Sequence, residues 1–299
     1  MNRDAAVWVR ERASGWWFRP EPLARLAVLR TIVYLYVPLD LFIRTAQVVP
    51  HAYGSSELYE PVKLLRLIHQ PSPAPWFAQS LRVVIIVTAL MAATGLLRRV
   101  AGWLLAVAYL DWACIAMSYG KVDHDHLAII LALFVLPTVS GASWRSTDRS
   151  EAAGWALRWI EIGVVATYFL AAYAKVRFGG WHWVNGATFA WAVLRRGTAL
   201  ADPLVRHPLV LLLAQWGLFA FELLTPAMLF VKQRWRTLAV VGLLSFHVMT
   251  WLTITINFAP LMACLFVFLP LERVASVATR AADGLTSRWR SPAEPMLQD

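Results

Sequence analysis

From residue 153 to residue 184 the chain reads AGWALRWIEIGVVATYFLAAYAKVRFGGWHWV. Its apolar part is long enough to cross a bilayer as one α-helix, which takes about 20 residues. No water in the hydrocarbon layer bonds the backbone, so a stretch of this kind must satisfy its own amides, and a helix does so within one segment. The same stretch carries Glu161, Tyr168 and Lys175 at seven-residue intervals. Two helical turns separate each from the next, which predicts a shared face. An ionisable group in a span is costly unless it faces protein or a wet cavity, and so marks a candidate site. Lys175 stands where the helix should leave the bilayer. The plain alternative is that it snorkels to the headgroups.

The rest of the chain repeats this pattern. Hydrophobic residues make up 59% of the 299 and charged ones only 15%, against roughly 45–50% and about 25% in a soluble domain. The expected fold is all-α: a polytopic transmembrane helix bundle of about eight membrane segments plus interfacial helices. The segments fall near 23–49, 78–97, 100–119, 127–139, the stretch above, 209–231, 237–257 and 258–271. The last is short and contains Pro260, which suggests a tilted or half-crossing run. Three regions follow: a basic, Trp-rich interfacial segment (1–22), the bundle (23–271) and a basic cytoplasmic tail that loses pattern at its end (272–299). The first region has no apolar core or cleavage site of a signal peptide. Pro71, Pro73 and Pro75 break the link after the first span, where PVKLLRLIHQ reads as a short interfacial helix. The apolar run after 184 is too short to cross and should be interfacial or re-entrant. Asp40 and Arg44 stand four apart and could pair on one face. Cys114 and Cys264 lie in apolar spans and read as packing residues.

The net charge of +10 comes from arginines in alternate loops, so no nucleic-acid partner is implied. Arg3, Arg10, Arg12, Arg19, Arg98, Arg99, Arg145, Arg149, Lys232, Arg234, Arg236, Arg273, Arg280, Arg288 and Arg290 share one side. Lys63, Arg66, Lys121, Arg177, Arg195, Arg196 and Arg206 take the other. The positive-inside rule then makes this an integral membrane protein with both termini cytoplasmic, in the plasma membrane if the source is bacterial. Lys175 and the loop GKVDHDH meet on the far side. Lys175 and His126 should lie at similar depth on neighbouring spans, with Tyr168 and Glu161 below Lys175 on a cavity-facing side.

That loop holds the densest ionisable cluster, Asp123, His124, Asp125 and His126. A helix N-terminus favours carboxylates, and histidine is the usual proton carrier near neutral pH. The bland alternative is a capping loop that binds water. Both residue types ligate metals, but the spacing matches no standard site, so no metal is indicated. Asp111, Glu161, Glu222 and His247 lie within spans, where each is expensive. Singly they suit interhelical hydrogen bonds; together they suggest a polar interior and a cavity. The 16 tryptophans suit either a pocket for a flat or cationic ligand or aromatic belts. The chain has no phosphate loop, zinc-type Cys/His spacing or nucleophile elbow.

The runs VDHDHLAIILAL, YFLAAYAKVRFGGWHW and FHVMTWLTITINFAPLMACLFVFLP occur in that order on separate spans. With them the chain resembles the vitamin K-dependent gamma-carboxylase-like, or HTTM, membrane proteins over about 23–270. The Tyr-Phe-x-Ala-x-x-x-Lys pattern followed by Trp is the most specific part. The resemblance implies that Lys175 is the base that deprotonates a reduced quinone cosubstrate and that His126 assists. The animal carboxylases have a second lysine before the base, where this chain has Ala174, and a large lumenal domain that this sequence lacks. The expected activity is therefore Lys/His acid–base chemistry on a lipid-like isoprenoid within the membrane, with quinol oxygenation or epoxidation as the reaction. Asp123, His124 and Asp125 complete the catalytic set; Tyr168, Glu161, Glu222, His247, Asp111 and Trp181 are expected to bind substrate. One alternative is an isoprenoid cyclase started by the Asp/His cluster, although no DDxxD or DxDD motif is present. The other is a transporter or structural protein with proton-relay charges, although no repeated halves are visible. No protein partner is indicated.

Overall fold

A computed structural model describes residues 11–289, with side chains to 285. Arg3, Arg10, Arg290 and the tail end at 291–299 lie outside the described residues, as do residues 1–10 of the Trp-rich segment. Among the described residues six helices are long and apolar enough to cross a membrane. They are α1 (Leu23–Ile43), α2 (Pro75–Thr94), α3 (Arg98–Met117), α5 (Glu151–Gly179), α7 (Pro208–Leu224, extended by a 3-10 turn to Leu229) and α8 (Gln233–Ile254). Between α3 and α5 lies α4 (Leu127–Val135), flanked by 3-10 turns at His124–His126 and Leu136–Thr138. After α5 comes the short α6 (Ala187–Arg196). The chain closes with α9 (Ala259–Leu265) and α10 (Glu272–Trp289).

The eight expected segments therefore divide into six full-length helices, one short helix and one broken pair. Proline sets both exceptions. Pro137 follows α4 and ends it, because its ring excludes a continued helical ladder. Pro270 separates α9 from α10, and the two halves meet at 89°. The chain thus turns sharply at the end of the segment 258–271, between Phe268 and Glu272. Residues 272–289, read as a tail, form a helix packed on α1. At the other breaks glycine serves: Gly95 ends α2 at φ 89°, a left-handed conformation that costs glycine no steric penalty.

The bundle is layered around α1, α4 and α5. Helices α1, α2 and α3 pack together; α4 is wedged between α3 and α5; α9 covers α4 and α1; α7 leans on α5. The α4–α5 contact is close because Gly163 has no side chain. A Cβ there would stand 2.7 Å from Leu131 Cδ2. Tyr34, Tyr109, Trp112 and Phe268 fill the centre and are fully buried. Leucines and valines on the outward faces of α1, α2, α3, α7 and α8 are exposed, as lipid-facing positions must be. A two-residue antiparallel pairing, Glu21–Pro22 with Arg149–Ser150, ties the starts of α1 and α5 together.

Asp40 and Arg44 do not pair as their spacing suggests. Asp40 accepts from Tyr36 (3.0 Å), Tyr109 (2.9 Å) and Thr45 (3.1 Å), and Arg44 reaches Asp125 at 3.2 Å. Hydroxyl donors from α1, the residues just after it and α3 satisfy the buried Asp40 carboxylate, which needs several donors once desolvated, while Arg44 turns to Asp125.

Candidate functional site

A cavity of about 640 Å³ opens between α5, α6, α7, α8 and the start of α9. Its walls are mainly apolar: Phe189, Leu211, Phe221, Phe246, Phe258 and Leu261 contribute. That volume suits a drug-sized or lipid-like molecule, and few polar groups on an apolar wall is the usual pattern of such sites. Four polar side chains define its chemistry: Lys175, Glu222, His247 and Tyr168, with His124 at the mouth.

Lys175 is in the last two turns of α5, and Glu222 is one turn before the end of α7. The Lys175 Nζ donates to Glu222 Oε1 at 2.6 Å and also to Oε2. The lysine side chain is 20% exposed and the glutamate 9%, so Lys175 is turned inward and does not reach for the headgroups. The ring of Trp183 lies 5.0 Å from Nζ, near enough for its π face to attract an ammonium. Trp183 is held in turn by Gln215, a fully buried residue of α7 that donates to its carbonyl. Gly180, at φ 63°, makes the turn that brings this tryptophan back over the lysine.

Two turns along α5 from Lys175, Tyr168 Oη stands 2.5 Å from Nε2 of His247 on α8. The imidazole is nested among the rings of Phe246 (5.1 Å), Phe258 (5.0 Å) and Tyr168 (5.7 Å). Its Nδ1 is buried without a partner.

The 123–126 turn splits into two roles. His124 faces the cavity and is exposed at its mouth. His126 is turned away and is 1% exposed. Its Nε2 is 3.4 Å from Asp40 Oδ2 and its Nδ1 is 3.3 Å from Asp125 Oδ1. Arg44 bridges Asp125 at 3.2 Å and Asp123 at 3.7 Å, and Lys121 takes Asp123 at 2.5 Å. The two aspartates are thus committed to cations behind the cavity wall.

Three residues expected to bind substrate stand elsewhere. Glu161 is buried in an arginine cluster, bonded to Arg158, with Arg236 at 3.5 Å and Arg25 at 4.0 Å. Trp181 is 65% exposed with its edge on Phe219. Asp111 is on α3, remote from the helices that line the cavity. Trp183, Gln215 and Phe258 were not singled out by sequence. The Gly-Gly turn before Trp183 was the available signal for that residue. Among the described residues no cluster of three or more His, Cys, Asp or Glu side chains could hold a metal ion.

The HTTM domain profile matches residues 18–273, which spans α1 to α9 and only the first two residues of α10. The chain belongs to the HTTM family. The HTTM domain is the membrane domain of vitamin K-dependent carboxylase-like proteins, and this HTTM chain is a membrane protein of that kind. No curated protein and no solved structure matches it. In this HTTM protein Tyr168 and Lys175, which line the cavity, both belong to the run YFLAAYAKVRFGGWHW.

Proposed function

We propose that the chain is a membrane-embedded enzyme that admits a hydrophobic isoprenoid ligand, of which a quinol is the class its family suggests, and removes a proton from its ring hydroxyl. One observation carries this reading: a Lys175–Glu222 pair in the wall of an otherwise apolar cavity. An ion pair in such surroundings is a weak source of stability, and ionisable groups inside a membrane bundle mark a functional site by default. Lys175 is the base. With Glu222 carrying the proton of the pair, the neutral amine takes the hydroxyl proton and becomes an ammonium beside the new oxyanion. Trp183 and Glu222 hold that ammonium in place.

His124 is the histidine on the cavity side, so it takes the assisting role that the motif suggested for His126. His126 positions the turn through Asp40 and Asp125. The cyclase reading needs a free acid from Asp123 or Asp125, and both are engaged by Arg44 and Lys121. The transporter reading draws on Asp111 and Glu222, which do not share a cavity.

The test is quinol-dependent oxygen uptake by the full chain in nanodiscs. Lys175→Gln/Glu222→Gln removes both charges while leaving no unpaired ion. Turnover should fall at least about 100-fold, the usual scale of lost acid–base catalysis, with quinol binding retained. Wild-type turnover by that variant overturns the assignment.

A further inference from the structure

At the far end of α4 from the cavity mouth, three arginines gather without a carboxylate. Arg30 of α1 is 6% exposed. Its Nη2 donates to the Ala142 carbonyl at 2.9 Å, and Arg98 Nη1 donates to the same oxygen at 2.7 Å. Arg99 is the next residue and is exposed. None of the three makes an ion pair among the described residues, and Arg30 Nη1 is buried with no partner at all. One carbonyl shared by two guanidinium groups cannot offset their desolvation, which costs several kcal/mol per buried ion when uncompensated.

A second cavity, of about 330 Å³, lies against this cluster. Arg98, Arg99 and Ser140 supply its polar wall, and Leu97 and Pro137 its apolar one. It also meets the start of α3, a 20-residue helix whose first turn has no side-chain cap. Uncapped N–H groups there add partial positive charge and unspent donors. The hydroxyl of Tyr34, buried and unpartnered, lies behind Pro137: a Cβ on Gly102 would touch both.

We infer that this cavity binds a phosphate-bearing anion, held by Arg98 and Arg99 and neutralising Arg30. Guanidinium forks match phosphate oxygens in geometry as well as charge. The exposed Leu97 and Val100 beside it give acyl chains an apolar surface, so a phospholipid headgroup satisfies the whole wall, whereas a free phosphate satisfies only its polar part. The arginine distribution assigns this end to the cytoplasmic leaflet, where anionic lipid is the available source. The site is independent of the chemistry proposed for the larger cavity.

The experiment uses the full chain in neutral detergent, titrated separately with dioleoyl phosphatidylglycerol, dioleoyl phosphatidylcholine and inorganic phosphate. Thermal midpoint and retained lipid by native mass spectrometry are read together. Phosphatidylglycerol should raise the midpoint and phosphatidylcholine should not. Arg98→Gln/Arg99→Gln should weaken phosphatidylglycerol binding about tenfold or more, as expected for losing charge-assisted bonds. Arg99→Gln alone, at an exposed position, should weaken it in the same direction if the double variant fails to fold. Arg234→Gln, at an exposed position in the first turn of α8, should leave it unchanged. Protection by inorganic phosphate at millimolar concentration, lost in the same variants, identifies a soluble phosphate as the ligand. Equal protection by both lipids, or equal losses in Arg99→Gln and Arg234→Gln, overturns the site.

Discussion

The phenol oxygen of Tyr168 and Nε2 of His247 are 2.5 Å apart across two helices, and the other ring nitrogen of His247 has no partner. Removing the phenol oxygen leaves a buried imidazole with neither nitrogen bonded. Tyr168→Phe should therefore lower stability by about 1–2 kcal/mol, the cost of an orphaned buried polar group. His247→Phe/Tyr168→Phe, which removes both partners, should recover most of it. Chemical denaturation of the four-member cycle checks this; additive losses would show that the bond carries no coupling.

Lys175 and Glu222 should show a sharper form of the same asymmetry. Lys175→Met strands a carboxylate that is 9% exposed. A loss of about 3 kcal/mol is expected, the low end for a broken buried pair, because the lysine side keeps some solvent. Lys175→Met/Glu222→Leu should return to within about 1 kcal/mol of the parent. A double variant as unstable as the single one would mean that the pair holds α5 to α7.

The two histidines of the 123–126 turn should separate cleanly. His126→Asn disturbs a buried network around Asp40 and should cost about 2–3 kcal/mol of stability, through the hydrogen bonds it loses to charged groups. His124→Asn, at an exposed position, should change stability by less than about 0.5 kcal/mol yet lower quinol turnover. Equal stability losses in the two variants would contradict this division.

Gly163→Ala places a methyl group against Leu131 on α4. Overpacking of this kind costs about 1–3 kcal/mol. Leu131→Ala in the same chain should relieve it. Thermal midpoints of both single variants and the double decide the matter.

Much of the bundle was legible in the sequence because apolar length and arginine-bearing loops are local signals. The candidate site was legible only in part. Tyr168 and Lys175 share a cavity wall, as their seven-residue spacing suggested, but Glu161 does not. A straight helix drifts by about 20° per heptad, and fourteen residues also carry Glu161 about 21 Å down the axis, into the reach of three arginines. Spacing offers Arg158, three residues away on α5, but cannot reveal Arg25 and Arg236, which come from α1 and α8. The preference of Arg44 for Asp125 over Asp40 was hidden for the same reason. Trp183 depended on a turn at Gly180, whose direction a sequence does not print.

The helix that begins at His124 and ends at Thr138 is about 25 Å long, at about 1.5 Å per residue in its α part and about 2.0 Å in its 3-10 ends, whereas the hydrocarbon layer is about 30 Å thick. A shortfall of a few ångströms taken at the His124 end would leave a dent in the protein surface there. Lipid cannot pass through that dent, but a small polar molecule arriving from water has a shorter path there than anywhere along the flanking helices. The large cavity would then have two entrances of opposite character. A greasy reactant comes sideways between helices, and a small aqueous one comes down through the thin spot, so the two meet without either crossing the medium that excludes it.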